Sequence, residues 1–352
     1  MLDVDVAIAG GGPAGSILAL RLARLGHSVA VIERSAFDRP RVGESLSRGV
    51  WPLFDILGLL PDVLRAGFLP IDRALIKWET DAIEERHQPP TLAVDRPRFD
   101  ALLLDIARRA GAVVLQPFVA PAPHREGDRW IIGDVRARFI ADATGRASWL
   151  HSPRRRVSEP LVATFAQWTG PREPRVEAME RGWLWGSPLP NGAYSAIAFT
   201  RDGRDYREMI AESELFRELQ SCGKVRTCDA TSYATVTPAT ATSICVGEAS
   251  YSIDPLSSSG VQAAMQSAIH ASIVVNTILR RPPDTETAIR FYAEAQAAAV
   301  ARHAMWTAEA YANSRWRNAA FWRGRVAAPL DESPRSTDIR AIGDFVTVDL
   351  MA

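Results

Sequence analysis

Gly10, Gly12 and Gly15 form a Gly-x-Gly-x-x-Gly run, and Glu33 stands 18 residues beyond the last of them. None of the three carries a Cβ, so the chain can turn tightly, bring its backbone close to a pyrophosphate and pack strand against helix. A helix that begins at this turn offers unpaired N–H groups and a partial positive charge to phosphate oxygens. A carboxylate at Glu33 accepts hydrogen bonds from ribose hydroxyls and repels a 2′-phosphate, which selects an unphosphorylated adenosine ribose. The competing explanation is a glycine turn with an incidental acidic neighbour, and the flanking elements described below weigh against it.

The remaining reactive side chains point to less. Cys222, Cys228 and Cys245 lack paired C-x-x-C spacing and are odd in number, so they suggest neither a zinc site nor a disulfide framework. They read as buried or idle thiols, and no metal is expected. His270 and His303 fall within helical stretches without a visible orienting partner, so neither is assigned a catalytic role. Ten tryptophans is a large number for this length, and Trp183, Trp185, Trp306, Trp316 and Trp322 either line an aromatic-binding cavity or fill a core.

The elements that must position the glycine turn are legible around it. Val4 to Ala9 is a short apolar run, Ile17, Leu18, Leu20, Leu22 and Leu25 keep helical spacing, Gly26 closes that helix, and His27 to Ile32 reads as a second strand ending at Glu33. This is a βαβ unit of about thirty residues. Helical spacing recurs over Val50 to Leu64 and Arg98 to Gly111, and strands are expected at Ala74 to Trp78, Val113 to Leu115, Trp130 to Ile132 and Arg138 to Ala141. Thr164 to Trp168, Gly182 to Trp185 and Tyr194 to Phe199 are β-rich runs divided by Pro, Gly and Asn. Ser243 to Gly247 then reads as a buried strand, Gly260 to Leu279 as a long helix, Thr285 to Trp322 as Ala-rich helix, and the tail from Ala327 shows no strong period.

The fold class expected is α/β, a Rossmann-like dinucleotide-binding domain interleaved with an antiparallel-sheet substrate domain, plus a C-terminal helical region. The expected division is 1–72 for the βαβ unit and a second cofactor segment, 73–98 for substrate-domain strands, 99–160 for the return to the first domain, 161–242 for the antiparallel domain, 243–280 for a further cofactor segment, 281–326 for the C-terminal helices and 327–352 for a tail.

At 352 residues and 38.5 kDa the chain can bury a large core, and 41 basic against 41 acidic residues leave no overall field for nucleic acid or an anionic membrane. The start lacks a basic region followed by a cleavage site, and apolar stretches such as Ala271 to Leu279 are far shorter than the ~20 residues that cross a bilayer. A cytoplasmic location is expected. No second glycine-rich nucleotide motif follows a strand in the later half, which argues against a separate nicotinamide domain.

Four stretches together resemble the superfamily of FAD-dependent aromatic hydroxylases related to para-hydroxybenzoate hydroxylase, which includes the flavin halogenases and geranylgeranyl reductases. They are Gly10 to Gly15 with Glu33; Arg41-Val42-Gly43-Glu44-Ser45-Leu46; Asp142-Ala143-Thr144-Gly145-Arg146-Ala147-Ser148; and Val246-Gly247-Glu248-Ala249 followed by Asp254-Pro255-Leu256-Ser257-Ser258-Ser259-Gly260-Val261. The resemblance implies one bound FAD, contacted by Gly10, Gly12, Pro13, Ala14, Gly15, Glu33, Arg34, Arg41, Gly43, Glu44, Ser45, Asp142, Gly145, Gly247, Glu248, Pro255, Ser259, Gly260 and Val261. Backbone N–H groups at Ser259, Gly260 and Val261 would meet the flavin's N1–C2=O edge, where negative charge gathers on reduction. Glu248 replaces the Asp usual in the superfamily, which puts a carboxylate on an arm one methylene longer. Taken alone, Asp254-Pro255 and its serines have a second, less favoured reading as a helix-capping turn.

For the reaction, the resemblance implies a flavin C4a-hydroperoxide whose distal oxygen goes to an aromatic ring or is captured by halide. Flavin halogenases carry a W-x-W-x-I-P segment and a catalytic lysine on the strand after their G-E segment. Trp183-Leu184-Trp185-Gly186-Ser187-Pro188 fits the first pattern except at Ser187, and Arg73 stands at the lysine's place, with Lys77 four positions on. Arginine keeps its proton and cannot do the amine's chemistry, and Lys77 reads as a surface or domain-edge lysine. The catalytic candidates are therefore Arg73, Lys77, Trp183 and Trp185. Chain length, Gly43-Glu44-Ser45, Asp254 to Gln262 and the aromatic end with Trp316, Phe321 and Trp322 are most similar to flavoproteins that hydroxylate a protein-bound tryptophan during tryptophylquinone maturation. The leading expectation is thus an FAD-dependent aromatic monooxygenase acting on an aromatic small molecule or a tryptophan-bearing protein, reduced by NAD(P)H or by a separate flavin reductase. A halogenase, a geranylgeranyl-reductase-like enzyme and a non-catalytic flavin-loaded binding partner are the alternatives.

Overall fold

The computed structural model describes residues 1–38, 42–221, 223–326 and 339–348. Its helices are α1 (Pro13–Arg24), α2 (Val50–Ile56), α3 (Leu60–Ala66), α4 (Arg96–Arg109), α5 (Tyr206–Glu212), α6 (Gly260–Arg280), α7 (Thr285–Ala312) and α8 (Ala320–Val326). Strand Leu2–Ala9 pairs in parallel with Val29–Ile32 on one side and Val135–Asp142 on the other. Val113–Leu115 and Ser243–Cys245 add further parallel strands, and Arg129–Ile132 and His124–Glu126 extend the sheet antiparallel. Val6 through Ala9 and Val29 through Ile32 are buried on both faces, which is why their sequence is continuously apolar rather than alternating. Helix α1 packs against both α4 and α6 over this sheet.

A nine-stranded sheet covers the other half. Its central strands, Val162–Thr169, Tyr194–Thr200, Gly182–Pro188 and Arg175–Met179, are antiparallel neighbours. One pair departs from the expected antiparallel pattern: Arg175 to Glu177 run parallel to Leu75 to Lys77, placing Glu177 directly beside Lys77. The fold is therefore α/β with interleaved sheets and a C-terminal helical region. The strands of the second sheet come from 45–46, 69–93 and 162–229, and those of the first from segments on both sides of them.

Four local expectations change. Val50 to Leu64 is two helices, because Gly58 takes the left-handed conformation (φ 64°) and stops the first. The Ala-rich stretch breaks after Ala312, so Trp316 lies between α7 and α8. Helix α5 was not foreseen; its apolar residues Tyr206, Met209 and Ile210 are too few to show a period, and they are buried only by the sheet's own core. The tail contains a hairpin, Ile339–Ile342 with Phe345–Val348. It is held by Arg21, whose Nη2 donates to Asp344 Oδ1 at 2.7 Å, and by Val346 N, which donates to Thr277 Oγ1 at 2.9 Å.

Candidate cofactor and active site

The glycine turn is closed around backbone. Gly10 has φ 100°, and a Cβ there would lie 2.4 Å from the Ala143 carbonyl oxygen; a Cβ on Gly15 would lie 1.9 Å from the Gly10 carbonyl oxygen. A Cβ on Gly12, by contrast, would meet nothing within 4 Å. Gly12 caps α1 without a side-chain hydrogen bond and Pro13 follows at the first helical position, so the N–H groups of this helix start are left for a ligand rather than for the chain. Glu33 is buried at the end of its strand, its Oε2 accepting from Gly11 N at 2.7 Å and its Oε1 from Ser35 N at 2.7 Å. Arg34 beside it is exposed. Arg41 lies outside the described residues.

Ser45–Leu46 joins the edge of the nine-stranded sheet, and Glu44 before it reaches Ser195 of strand Tyr194–Thr200. Glu44 is 8% exposed; its Oε1 accepts from Ser195 Oγ at 3.2 Å, and its Oε2 is buried with no hydrogen-bond partner. Burial pushes this carboxyl above the ordinary carboxylate range. Arg96, which the sequence reading missed, donates to Val42 O at 2.9 Å and is clamped by both oxygens of Asp100. Its guanidinium lies so close that a Cβ on Gly43 (φ 95°) would sit 2.8 Å from Nη1. The i, i+4 spacing of Arg96 and Asp100 at a helix start was the available signal.

The third stretch organises a turn. Asp142 is fully buried; Oδ1 accepts from Thr144 N and Oγ1, and Oδ2 from Leu150 N at 2.9 Å. Asp142 thus shapes the loop that carries Gly145, which takes φ 68°. Glu248 is half exposed and sits 3.5 Å from Arg146 Nε, with Ser252 Oγ donating to it at 3.4 Å. The guanidiniums of Arg146 and Arg154 lie over the Tyr233 ring, at 5.1 and 4.2 Å from its centroid. Gly247 (φ 62°) packs so tightly on α1 that a Cβ would lie 2.7 Å from that of Ala14.

The fourth stretch enters α6. Asp254 Oδ1 accepts from Leu256 N at 3.0 Å, so the capping turn read from the sequence is present, with Pro255 at its first position. Ser259 precedes α6 without a side-chain cap, Ala263 N is the first donor back into the turn, and a Cβ on Gly260 would meet nothing within 4 Å. The space over Gly260 is therefore open, whereas the N–H of Ser259, expected to face the flavin, donates to Ser257 Oγ at 3.3 Å. The turn is gripped from α7: Tyr311 donates to Asp254 Oδ2 at 2.9 Å and His303 Nε2 lies 3.1 Å from Asp254 O. His303 thus has a partner, which its helical sequence did not reveal.

The catalytic candidates do not converge. Arg73 is about half exposed and pairs with Glu85 at 3.1 Å. Lys77 is not a surface lysine: it is 8% exposed and ion-paired with Glu214, beside Glu177. Lys77 and Lys224 are the chain's two lysines, and Lys224 is exposed on a loop. Trp183 and Trp322 are completely buried in a packed aromatic cluster with Trp78, Phe199 and Tyr311, Trp183 stacking on Phe199 at 3.9 Å. These rings fill a core instead of lining a cavity; Trp185 borders the same cluster partly buried, and Trp306 is exposed. Among the described residues no group of three His, Cys, Asp or Glu side chains is placed to hold a metal, and no helix is long and apolar enough to cross a membrane.

Two helix starts, at Gly12 and at Gly260, lack a side-chain cap and have open space over the glycine, which leaves room for an anionic ligand at each. The family described as FAD binding domain matches residues 3–116, and that described as Tryptophan halogenase matches residues 71–341. Tryptophan 2-halogenase of Chondromyces crocatus is 29% identical over 371 residues, covering 93% of this chain and 71% of the relative. The putative FAD-dependent oxidoreductase LodB of Marinomonas mediterranea is 26% identical, covering 93% of this chain and 98% of LodB. Among solved structures, the flavin-dependent halogenase CmlS superposes with a TM-score of 0.83 at 26% identity over 94% of this chain and 69% of CmlS. QhpG, described as a peptidyl tryptophan dihydroxylase, gives 0.83 at 24% identity over 98% of this chain and 86% of QhpG, a likeness of fold. The chain is therefore an FAD-binding oxidoreductase that belongs to the tryptophan halogenase family.

Proposed function

We propose that this enzyme hydroxylates an aromatic ring, with a tryptophan side chain in a partner protein as substrate. The observation that carries the choice of hydroxylation is the state of its amines. A halogenase of the kind resembled here needs a free lysine amine, yet Lys77 is committed to an ion pair with Glu214, Lys224 is on an exposed loop, and the aligned position is Arg73. Bound FAD, once reduced by NAD(P)H or by a separate flavin reductase, supplies the activation of dioxygen. The chain's own part is to hold and shield. The α1 start takes the pyrophosphate, Glu33 the ribose, and the N–H groups of Gly260 and Val261 the electron-rich edge of the ring system. Glu44 and the aromatic cluster are themselves buried from water.

A second reading, halogenation, is supported by the family itself and by the names of relatives such as Tryptophan 2-halogenase. One experiment separates them. Purified protein supplied with reduced FAD, oxygen, bromide and a tryptophan-containing peptide or free indole should yield a product heavier by oxygen. A brominated product in its place would overturn the hydroxylase reading, and protein that takes up no FAD would end both.

A further inference from the structure

Arg146 belongs to the third of the four stretches and Glu248 to the fourth, and their two loops pack side by side. Arg146 Nε lies 3.5 Å from Glu248 Oε1. Its Nη2 donates to Ser252 Oγ at 2.6 Å, and that hydroxyl donates in turn to the same Oε1 at 3.4 Å. Arg146 is also fixed from elsewhere: Nη1 donates to Asp229 Oδ2 at 3.1 Å and Nη2 to Thr231 O at 3.0 Å. Held at once by an acid, a carbonyl and a hydroxyl, the planar guanidinium is a fixed charge beside Glu248 rather than a mobile one.

Arg154 locks the two loops to each other. Its Nη1 donates to Arg146 O at 2.9 Å and its Nη2 to Gly145 O at 3.2 Å, with Glu248 O 3.5 Å from the same nitrogen. The Tyr233 hydroxyl donates to Glu248 O at 2.6 Å. Backbone and side chain of Glu248 are thus both held, yet its carboxylate stays reachable. The side chain is 49% exposed, both contacts fall on Oε1, and Oε2 has no hydrogen-bond partner among the described residues. Oε2 lies over the Gly145 loop, 3.8 Å from where a Cβ on Gly145 would stand. Arg96, packed against Gly43 of the second stretch, senses the same carboxylate: burial opposes its charge, but Asp100 first, then Glu44 and Glu248, raise it above the ordinary arginine value. The open oxygen of Glu248 therefore lies near the meeting of the second, third and fourth stretches.

We propose that Arg146 is a positioning residue of the cofactor site, fixing the Glu248 carboxylate so that Oε2 accepts from hydroxyls in the flavin half of FAD. An ionised carboxylate is acceptor only, which suits hydroxyl donors. A glutamate side chain gives up much rotamer freedom when a ligand orders it, and one already held through Oε1 has given it up beforehand, so less affinity is lost on binding. This role rests on the FAD-binding part of the proposed function and is indifferent to the choice between hydroxylation and halogenation.

The test is titration of the apoprotein with FAD and, separately, with ADP, for the parent, Arg146→Gln, Glu248→Gln and the double variant. ADP reaches only the α1 start and Glu33, so it reports whether the adenosine half of the site is intact. Each single variant should weaken FAD by about tenfold and leave ADP affinity unchanged. The double variant should be no weaker than Glu248→Gln alone, because Arg146 acts through that carboxylate. Losses that multiply in the double variant, or an equal loss for FAD and ADP, would assign Arg146 to folding alone and overturn the proposal. If Arg146→Gln does not fold, Arg146→Lys, which keeps the charge and loses the fork, takes its place in the cycle. Glu248 is half exposed, so Glu248→Gln should fold in either case, and unchanged FAD affinity in it would overturn the proposal by itself. A parent that takes up no FAD would overturn the FAD reading as well, whereas the other outcomes leave that reading standing.

Discussion

The Tyr311 hydroxyl donates to Asp254 Oδ2 at 2.9 Å, tying the far end of α7 to the turn that opens α6 across 57 residues of sequence. Both groups are buried, so the bond links the C-terminal helices to the turn on which the flavin ring is proposed to rest.

Tyr311→Phe removes the donor and leaves Asp254 Oδ2 with nothing to accept. A loss of about 1–3 kcal/mol in unfolding free energy is expected, together with weaker FAD retention because the turn is freed. Denaturant unfolding of the apoprotein and an FAD titration measure the two effects; an unchanged midpoint would show that the bond does not restrain the turn.

The three glycines separate folding from binding. Gly15→Ala drives a methyl into the Gly10 carbonyl, 1.9 Å from where it would sit, and should destabilise the apoprotein by about 1–3 kcal/mol. Gly12→Ala meets open space, so the apoprotein should melt as the parent does, while FAD affinity drops at least about tenfold because the methyl occupies the phosphate approach. Melting curves and visible absorbance of the purified variants distinguish the two.

Glu44 makes a pH prediction. Its folded-state carboxyl is raised above the ordinary value of 4.5 by burial, so the folded form holds a proton that the unfolded chain has already lost. The stability linked to this group is fully present below that ordinary value and is lost as pH rises through the raised one. Glu44→Gln stays neutral throughout. The variant's apoprotein should therefore lose less stability than the parent as pH rises above the ordinary carboxylate value. Asp254 is raised in the same direction and is common to both proteins, so the difference isolates Glu44. Parallel pH profiles would refute the assignment.

Cys245 is buried, and burial pushes its thiol up to about 11. Alkylation of the native protein near neutral pH should leave Cys245 unmodified, whereas denatured protein is labelled fully. Peptide mapping by mass spectrometry gives the answer; rapid native labelling would mean that the Ser243–Cys245 strand opens readily.

The glycine turn, Glu33 and the capping turn at Asp254 were legible in the sequence because each is a local rule: a missing Cβ, a strand end, a proline at the first helical position. The partners that complete the site were not. Ser195 lies 151 residues from Glu44, and Asp254 is gripped by Tyr311 and His303 of a distant helix. Lys77 shows the same limit: a charged residue on a half-buried strand reads as exposed until its neighbours Glu214 and Glu177 are known.

What the amino-acid order determined by itself is the cofactor-binding frame, since backbone conformation at Gly10 to Gly15 and Asp254 to Gly260 depends on which residues can adopt it and which helix ends go uncapped. What tertiary structure alone decided is the chemistry available beside that frame. Whether a tryptophan lines a cavity or fills a core, and whether a lysine amine is free or paired, depends on which strands meet. That meeting joins residues more than a hundred positions apart, where no local pattern reaches.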